Sequence, residues 1–353
     1  MSEVRTATRL EPVPLASFAF ARAYATTMRP YLLFVSGITG IVGMALIPGV
    51  PALAALGIGL AFFVSYGFGQ ALTDCFQLDT DSISAPYRPL VRGTVRREHV
   101  IAVSIVGLVA VGATLTVAHP WNLPLVVASI VGLATYTWFK RRWWAGPFYN
   151  AWIVAVLLLT GVLAGLGVSG WPEWIDGSSR WATVSPLAFA GTVVAVFFGY
   201  ANFVLAGYFK DISADRLTGY ETLPVRAGRF VSCLVSDGFA LVAVLGALVA
   251  ADAAEIAFHP VTGIHTLGLA TGVVLSVVLV GAGILVACIA QVRLHAVGRD
   301  DEAHHAIVLV VHAYLLLLAG VAMAHRPAWS FVLVAFLAAY FVTMRSRPAR
   351  EQI

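Results

Sequence analysis

PALAALGIGLAFFVSYGFGQALTDCFQLDTD, residues 51–81, runs from Pro51 to Thr73 without a charged side chain and then places three carboxylates close together, Asp74, Asp79 and Asp81. An α-helix rises 1.5 Å per residue, so about 20 apolar residues cross the hydrocarbon core of a bilayer. The stretch therefore reads as a membrane span that emerges into an acidic signature at one surface.

The rest of the chain agrees. Of its 353 residues, 59% are hydrophobic and 11% charged, and the mean hydropathy is strongly positive. Such a composition excludes a water-soluble fold. About ten apolar stretches are long enough to span: 31–47, 51–78, 98–119, 122–139, 146–167, 181–210, 230–254, 266–292, 303–325 and 327–345. They are continuous and show no period-two alternation, so transmembrane strands are not expected. The fold class predicted is an all-α membrane protein, a bundle of about nine to ten transmembrane helices around a central cavity.

Lysine and arginine accumulate at cytoplasmic helix ends, and ten spans put 20 of the 22 basic residues on one side, with only Arg180 and Arg326 opposite. Both termini and the acidic signature are thus expected on the cytoplasmic side. The net charge of +4 is an orientation signal. No soluble basic module exists to bind nucleic acid. Cys75, Cys233 and Cys288 lie in or beside spans without metal-type spacing, so a disulfide framework is not expected.

Residues 1–28 read as an N-terminal leader in which 13–28 (Val13, Leu15, Phe18, Phe20, Arg22) has the pattern of an interfacial helix. Residues 29–325 form the main domain, and 326–353 add a further apolar helix and a basic tail. The outer loop near 168–181, with Trp171, Trp174 and Asp176, reads as interfacial and structural.

A second acidic signature, Lys210-Asp211 through Asp215, ends the sixth span on the same side as the first ends the second. Two equivalent positions four spans apart suggest two related halves facing one cavity. Residues three, four and seven apart share a helix face, which puts Gln70, Asp74, Gln77 and Asp81 within about 60° of arc. Asp79 points elsewhere while that helix is intact. Asp211 and Asp215 are an i, i+4 pair. Five Asp give about −5 and a diphosphate about −3, which two Mg²⁺ would offset by about +4; magnesium prefers hard oxygen ligands and bridges carboxylates to phosphates. Arg88, Lys140, Arg141 and Lys210 are placed to neutralise the remaining phosphate oxygens.

These motifs resemble those of the UbiA superfamily of intramembrane prenyltransferases. Its first signature, Asn-Asp-x-x-Asp-x-x-x-Asp, corresponds to Thr73 through Asp81, followed by Pro86-Tyr87-Arg88-Pro89. Its second, Asp-x-x-x-Asp with a following glycine and Thr-Leu, corresponds to Asp211, Asp215, Gly219, Thr222 and Leu223. Arg29-Pro30, and Tyr136 with Lys140-Arg141, also fit, and the resemblance covers roughly residues 25–325. Two positions depart from it: Thr73 replaces Asn, and Gln77 replaces the middle Asp, removing an anionic ligand for which Asp79 could substitute if the helix breaks early.

The resemblance implies Mg²⁺-dependent transfer of a prenyl group from an isoprenoid diphosphate to a lipophilic acceptor, very often aromatic, in a cavity open to lipid. Asp74, Asp81, Asp211 and Asp215 would be the catalytic carboxylates, with Asp79 as an additional metal ligand. Gln70, Gln77, Arg88, Lys140, Arg141, Lys210, Tyr136 and Tyr208 would bind substrate. An allylic cation needs a dry chamber with π-faces, for which Phe62, Phe63, Tyr66, Phe76, Tyr136, Phe197, Phe198, Tyr200 and Tyr208 are candidates. The same machinery could cyclise an isoprenoid without an acceptor. A transporter would carry charges at the bilayer midplane, where this chain has few.

The remaining polar residues have plainer readings. Asp237 should face the protein interior, Asn202 should pack helices, and His304, His305 and His312 have no companion carboxylate or cysteine at ligand spacing. Gly57, Gly67, Gly161, Gly165, Gly191 and Gly199 permit close helix contacts.

Overall fold

The structure, a computed structural model, describes residues 11–170, 184–253 and 264–345. The outer-loop residues Trp171, Trp174 and Asp176 lie outside them. Thirteen α-helices follow one another: α1 (Phe18–Met28), α2 (Leu33–Ala45), α3 (Ala52–Asp74), α4 (Leu78–Ser84), α5 (Arg97–Ala118), α6 (Asn122–Lys140), α7 (Gly146–Gly170), α8 (Pro186–Tyr208), α9 (Ile212–Leu217), α10 (Leu223–Asp252), α11 (Ile264–His295), α12 (Ala303–His325) and α13 (Ser330–Arg345). Among the described residues nine helices are long and apolar enough to cross a membrane, and α1 with the segment 30–45, bent by 43° at Arg29, makes a tenth if counted as one span.

Hydropathy does not separate core from lipid face, because both are apolar; packing does. Every residue of α2 is buried, and α12 is the most buried of the long helices. These two form the centre, with α2 against α3 and α7 and α12 against α8 and α11. On α6, α11 and α13, by contrast, Val131, Val277 and Phe331 point outward. Backbones at the centre touch: a Cβ on Gly161 would lie 2.3 Å from the carbonyl oxygen of Gly40. Gly57 has open space beside it and makes no such contact.

The C-terminal ends of α3 and α8 depart from the sequence reading in a way that shapes the site. A continuous helix through residue 78 is not formed. The chain leaves α3 after Asp74, passes Gln77 at φ −123°, ψ 23°, and restarts as α4. Likewise α8 stops at Tyr208, Asp211 takes φ −109°, ψ 4°, and α9 follows. The Asp81 amide is bonded to the Gln77 carbonyl at 2.9 Å and the Asp215 amide to the Asp211 carbonyl at 2.7 Å, so each restart is a local turn that keeps its backbone groups paired. The short helices α4 and α9 pack against each other, bringing the two halves together above the cavity. Gly219 (φ 77°) then lets the chain reverse into α10.

Candidate active site

The first half of the site is a network of carboxylates held by arginines. Asp74, the last residue of α3, accepts from Arg29 Nη2 with both oxygens, at 3.0 and 2.9 Å, and from Gln70 Nε2 at 2.6 Å. Arg88, from the loop after α4, pairs with Asp81 and lies 3.8 Å from Asp74. Because the helix breaks, Gln70, Asp74, Gln77 and Asp81 do not share one helical stripe; Arg88, rather than helical periodicity, unites Asp74 with Asp81. Gln77 turns its amide oxygen to Lys140 at the end of α6, 2.9 Å from Nζ, and both side chains are buried.

The second half comes from the α8–α9 turn. Ser84 hydrogen-bonds the Asp211 side chain. Asp215 is fully buried; its Oδ2 accepts from Thr222 at 3.1 Å, while its Oδ1 has no hydrogen-bond partner. Lys140 faces Asp215, Asp211 and Asp81, with its ammonium 5.7 Å from the Tyr208 ring centre and 5.5 Å from that of Tyr220.

Four acids, Asp74, Asp81, Asp211 and Asp215, thus meet four bases, Arg29, Arg88, Lys140 and Lys210, in one cluster whose members are buried or half-buried. Burial holds the Asp81 carboxyl above the ordinary range even against Arg88. Asp211 behaves oppositely: burial would raise it, but Lys210, Lys140 and Arg88 together keep it below that range. Burial, with Asp211 nearby, pushes Asp215 up to about 7 although Lys140 opposes it. Burial likewise pushes Lys210 down to about 8, partly countered by Asp211. Two groups of this cluster are thus shifted toward neutrality, in opposite directions.

A cavity opens from this cluster into the bundle. Its polar end is lined by Arg29, Gln70, Asp74, Gln77, Asp81, Arg88, Lys140, Lys210 and Asp211, and it continues between α5, α6 and α7 past Leu108, Leu133 and Leu157. Of the aromatic candidates, Tyr66, Tyr136, Tyr200 and Tyr208 line it; Tyr136 and Tyr208 join hydroxyl to hydroxyl at 3.2 Å. Phe62 is buried away from its wall, Phe197 and Phe198 pack on Phe148 and Phe239, and Phe76 is half exposed under Arg97.

Asp79 and Arg141 stand outside the wall of the cavity. Both are solvent-accessible; Arg141 Nη2 is 3.2 Å from Asp79 Oδ2 and stacks over Tyr220 at 4.6 Å, and Tyr220 also donates to Asp79. The early break therefore does not turn Asp79 into the place of the missing carboxylate. Asp237 is likewise no part of the cavity and pairs with His295 at 2.8 Å. Asn202 accepts from Ser236 at 2.5 Å between α8 and α10, a packing contact.

Arg29 was legible only as an Arg-Pro pair before a span, and its position beside Asp74 follows from the bend between α1 and α2. Asn150 and Phe203, also in the wall, had no sequence signal. The donor chemistry suits magnesium: hard carboxylate oxygens, one of them on Asp215 buried without a partner. Among the described residues no three His, Cys, Asp or Glu side chains are grouped to hold an ion unaided. Oxygens of a substrate would complete its coordination.

Residues 36–304, about three quarters of the chain, match the UbiA prenyltransferase family. The chain belongs to this family. This UbiA prenyltransferase is 28% identical over 229 residues to the digeranylgeranylglyceryl phosphate synthase of Thermococcus kodakarensis, covering 64% of its own length and 76% of that enzyme. With the Natronomonas pharaonis synthase of the same name it shares 32% over 189 residues, covering 53% and 61%. The chlorophyll synthase of Avena sativa is 26% identical over 173 residues, covering 46% and 42%.

In structure, the UbiA prenyltransferase superposes on a digeranylgeranylglyceryl phosphate synthase with a TM-score of 0.56 at 16% identity, covering 86% of this chain and 98% of that one. A UbiA homologue from Archaeoglobus fulgidus, solved with DMAPP and Mg²⁺, gives 0.55 at 15%, covering 83% and 98%. At these identities the likeness is one of fold. The protein is a multi-pass membrane prenyltransferase.

Proposed function

We propose that this enzyme ionises an isoprenoid diphosphate at the cytoplasmic mouth of the cavity and transfers the prenyl group, with Mg²⁺, to a lipophilic acceptor. The observation that carries the reading is the cluster of four carboxylates and four cations, with Asp74, Asp81, Asp215 and Lys140 buried and the rest half-buried, at the polar end of an apolar, tyrosine-lined chamber. A diphosphate placed there meets Arg29, Arg88, Lys140 and Lys210, which share its charge and oppose its return to the carbon it leaves. Asp211 and Asp215 offer the hard oxygens for magnesium, which when bound supplies Lewis-acid stabilisation of the departing diphosphate.

Asp74 and Asp81 hold Arg29 and Arg88 in place, so that the guanidinium groups are preorganised rather than recruited. Tyr66, Tyr136, Tyr200 and Tyr208 present π-faces to the allylic cation, and the wall of α5, α6 and α7 keeps water from it. Gln70 bonds Asp74, and Gln77 bonds Lys140, each orienting its partner. Arg141 contributes from the rim through Asp79 and Tyr220. Relatives named for a glyceryl phosphate and for a chlorophyll broaden the acceptor beyond an aromatic ring. Polar groups in the deeper wall, Ser129 with an unpartnered hydroxyl among them, suit an acceptor with a polar head.

The test uses purified enzyme in lipid nanodiscs with radiolabelled prenyl diphosphates and two acceptor classes, a phenol and a glyceryl phosphate lipid. Mg²⁺-dependent product from either class supports transfer and identifies the class. Diphosphate release that ignores acceptors indicates cyclisation instead, and absence of release under all conditions overturns the reading.

A further inference from the structure

Position 77 lies between the two halves of the site, where a carboxylate would help to hold a divalent ion. This chain has an amide there, and its oxygen is already occupied by the Lys140 ammonium at 2.9 Å. The neighbouring acids are occupied too. Both oxygens of Asp74 accept from Arg29 and one also from Gln70, while Asp81 is paired with Arg88. Asp79, the other acid of that segment, faces Arg141 and Tyr220. In the second segment the situation differs, because the fully buried Asp215 keeps one carboxylate oxygen without a partner.

Lys140 is suited to act as a fixed cation. It is buried, has Asp215, Asp211 and Asp81 as electrostatic neighbours, and lies 5.7 and 5.5 Å from the ring centres of Tyr208 and Tyr220. A carboxylate at position 77 would pair with this ammonium and cancel it; the amide orients it and leaves its charge available to a phosphate. An ammonium tethered to α6 needs no recruitment from solution, unlike a metal ion.

We propose that this enzyme binds one divalent ion per diphosphate, held by Asp211 and Asp215, and that the Lys140 ammonium, positioned by Gln77, stands where a second ion would otherwise bind. The charge count from sequence, which called for two Mg²⁺, had no Gln77–Lys140 bond and no Arg29 in it. The inference rests on the site being a diphosphate site.

Mn²⁺ binding to the full-length protein in nanodiscs, read from the electron paramagnetic resonance of the free ion, decides it. The probe is Mn²⁺ with geranyl thiolodiphosphate, an analogue that does not ionise. One Mn²⁺ per wild-type chain is expected, lost in Asp211→Asn and kept in Asp81→Asn. Gln77→Asp combined with Lys140→Ala, which supplies a carboxylate and removes the ammonium, with Gln77→Glu and Lys140→Ala as a second form of the same change, is expected to take up two. Two ions in the wild-type protein, or one in both double variants when each is folded, overturns the proposal. Failure of the wild type to bind the analogue at all, by calorimetry, overturns the diphosphate site itself, an outcome distinct from a wrong ion count.

Discussion

Arg29 Nη2 lies within 3.0 Å of both carboxylate oxygens of Asp74, joining the bend between α1 and α2 to the last residue of α3. Arg29 takes φ 53°, ψ 72°, the left-handed conformation that β-carbon-bearing residues avoid, and no other non-glycine residue among those described has a positive φ. Local strain at a buried ion pair points to a geometry fixed by the surrounding packing. Removing one partner of such a pair leaves a buried charge uncompensated, which destabilises by about 3–5 kcal/mol. Arg29→Ala should therefore lower the thermal midpoint and sharply reduce diphosphate release. Adding Asp74→Asn to it should recover part of the stability and none of the activity, as scanning calorimetry and a release assay on the same samples would show.

The pH profile should be bell-shaped. Asp215, raised to about 7 by burial, is protonated below that pH, so the site loses a negative ligand and kcat/KM falls on the acid side. Lys210, lowered to about 8 by burial, loses its charge above that pH, so a cation facing the diphosphate disappears and kcat/KM falls on the alkaline side. Metal competes with the proton for a carboxylate, so raising Mg²⁺ should move the acid limb down and leave the alkaline limb in place. Lys210→Arg, which stays charged, should abolish the alkaline limb; an unchanged limb would assign it to another group.

How far the sequence carried this picture depends on the distance between the residues concerned. Apolar run length is a local property, so the helices and the acidic helix ends could be read directly. The breaks after Asp74 and Tyr208 could not, because no proline or glycine marks residues 75–77 or 209–211; they accompany the packing of α4 on α9, a contact between distant segments. The contacts of Arg29 with Asp74 and Lys140 with Gln77 join residues 45 and 63 positions apart, and periodicity has nothing to say about such pairs. Aromatic residues were abundant in the spans, but only packing separates Tyr200, in the cavity wall, from Phe198, behind it.

Tyr208 can be moved without being mutated. A Cβ added at Gly146, the first residue of α7, would lie 2.2 Å from the Tyr208 hydroxyl, the far end of a side chain. Gly146→Ala should therefore swing the ring and break its 3.2 Å contact with Tyr136, while the helices stay in place. Activity is expected to fall about tenfold or more with the melting temperature within a few degrees of the parent, since misplacing a group by about 1 Å near the reacting atoms can reduce rate about 10²-fold. If Gly146→Ala retains full activity, the Tyr208 ring is not a determinant of the reaction.

Two glycines of the same helical type should respond in opposite directions to alanine. At Gly161 the new methyl would lie 2.3 Å from the Gly40 carbonyl oxygen, a backbone atom of the central helix, so α2 and α7 would have to separate. Overpacking of that kind destabilises by about 1–3 kcal/mol. At Gly57, inside α3, nothing lies within 4 Å. There alanine reduces the freedom of the unfolded chain and suits the helix better, a gain of about 0.5–1 kcal/mol. Melting curves of Gly161→Ala and Gly57→Ala in one detergent should therefore shift downward and upward respectively. A downward shift at Gly57 would indicate a lipid or partner contact on that face of α3, and an unchanged Gly161→Ala would mean that the central crossing is looser than its geometry requires.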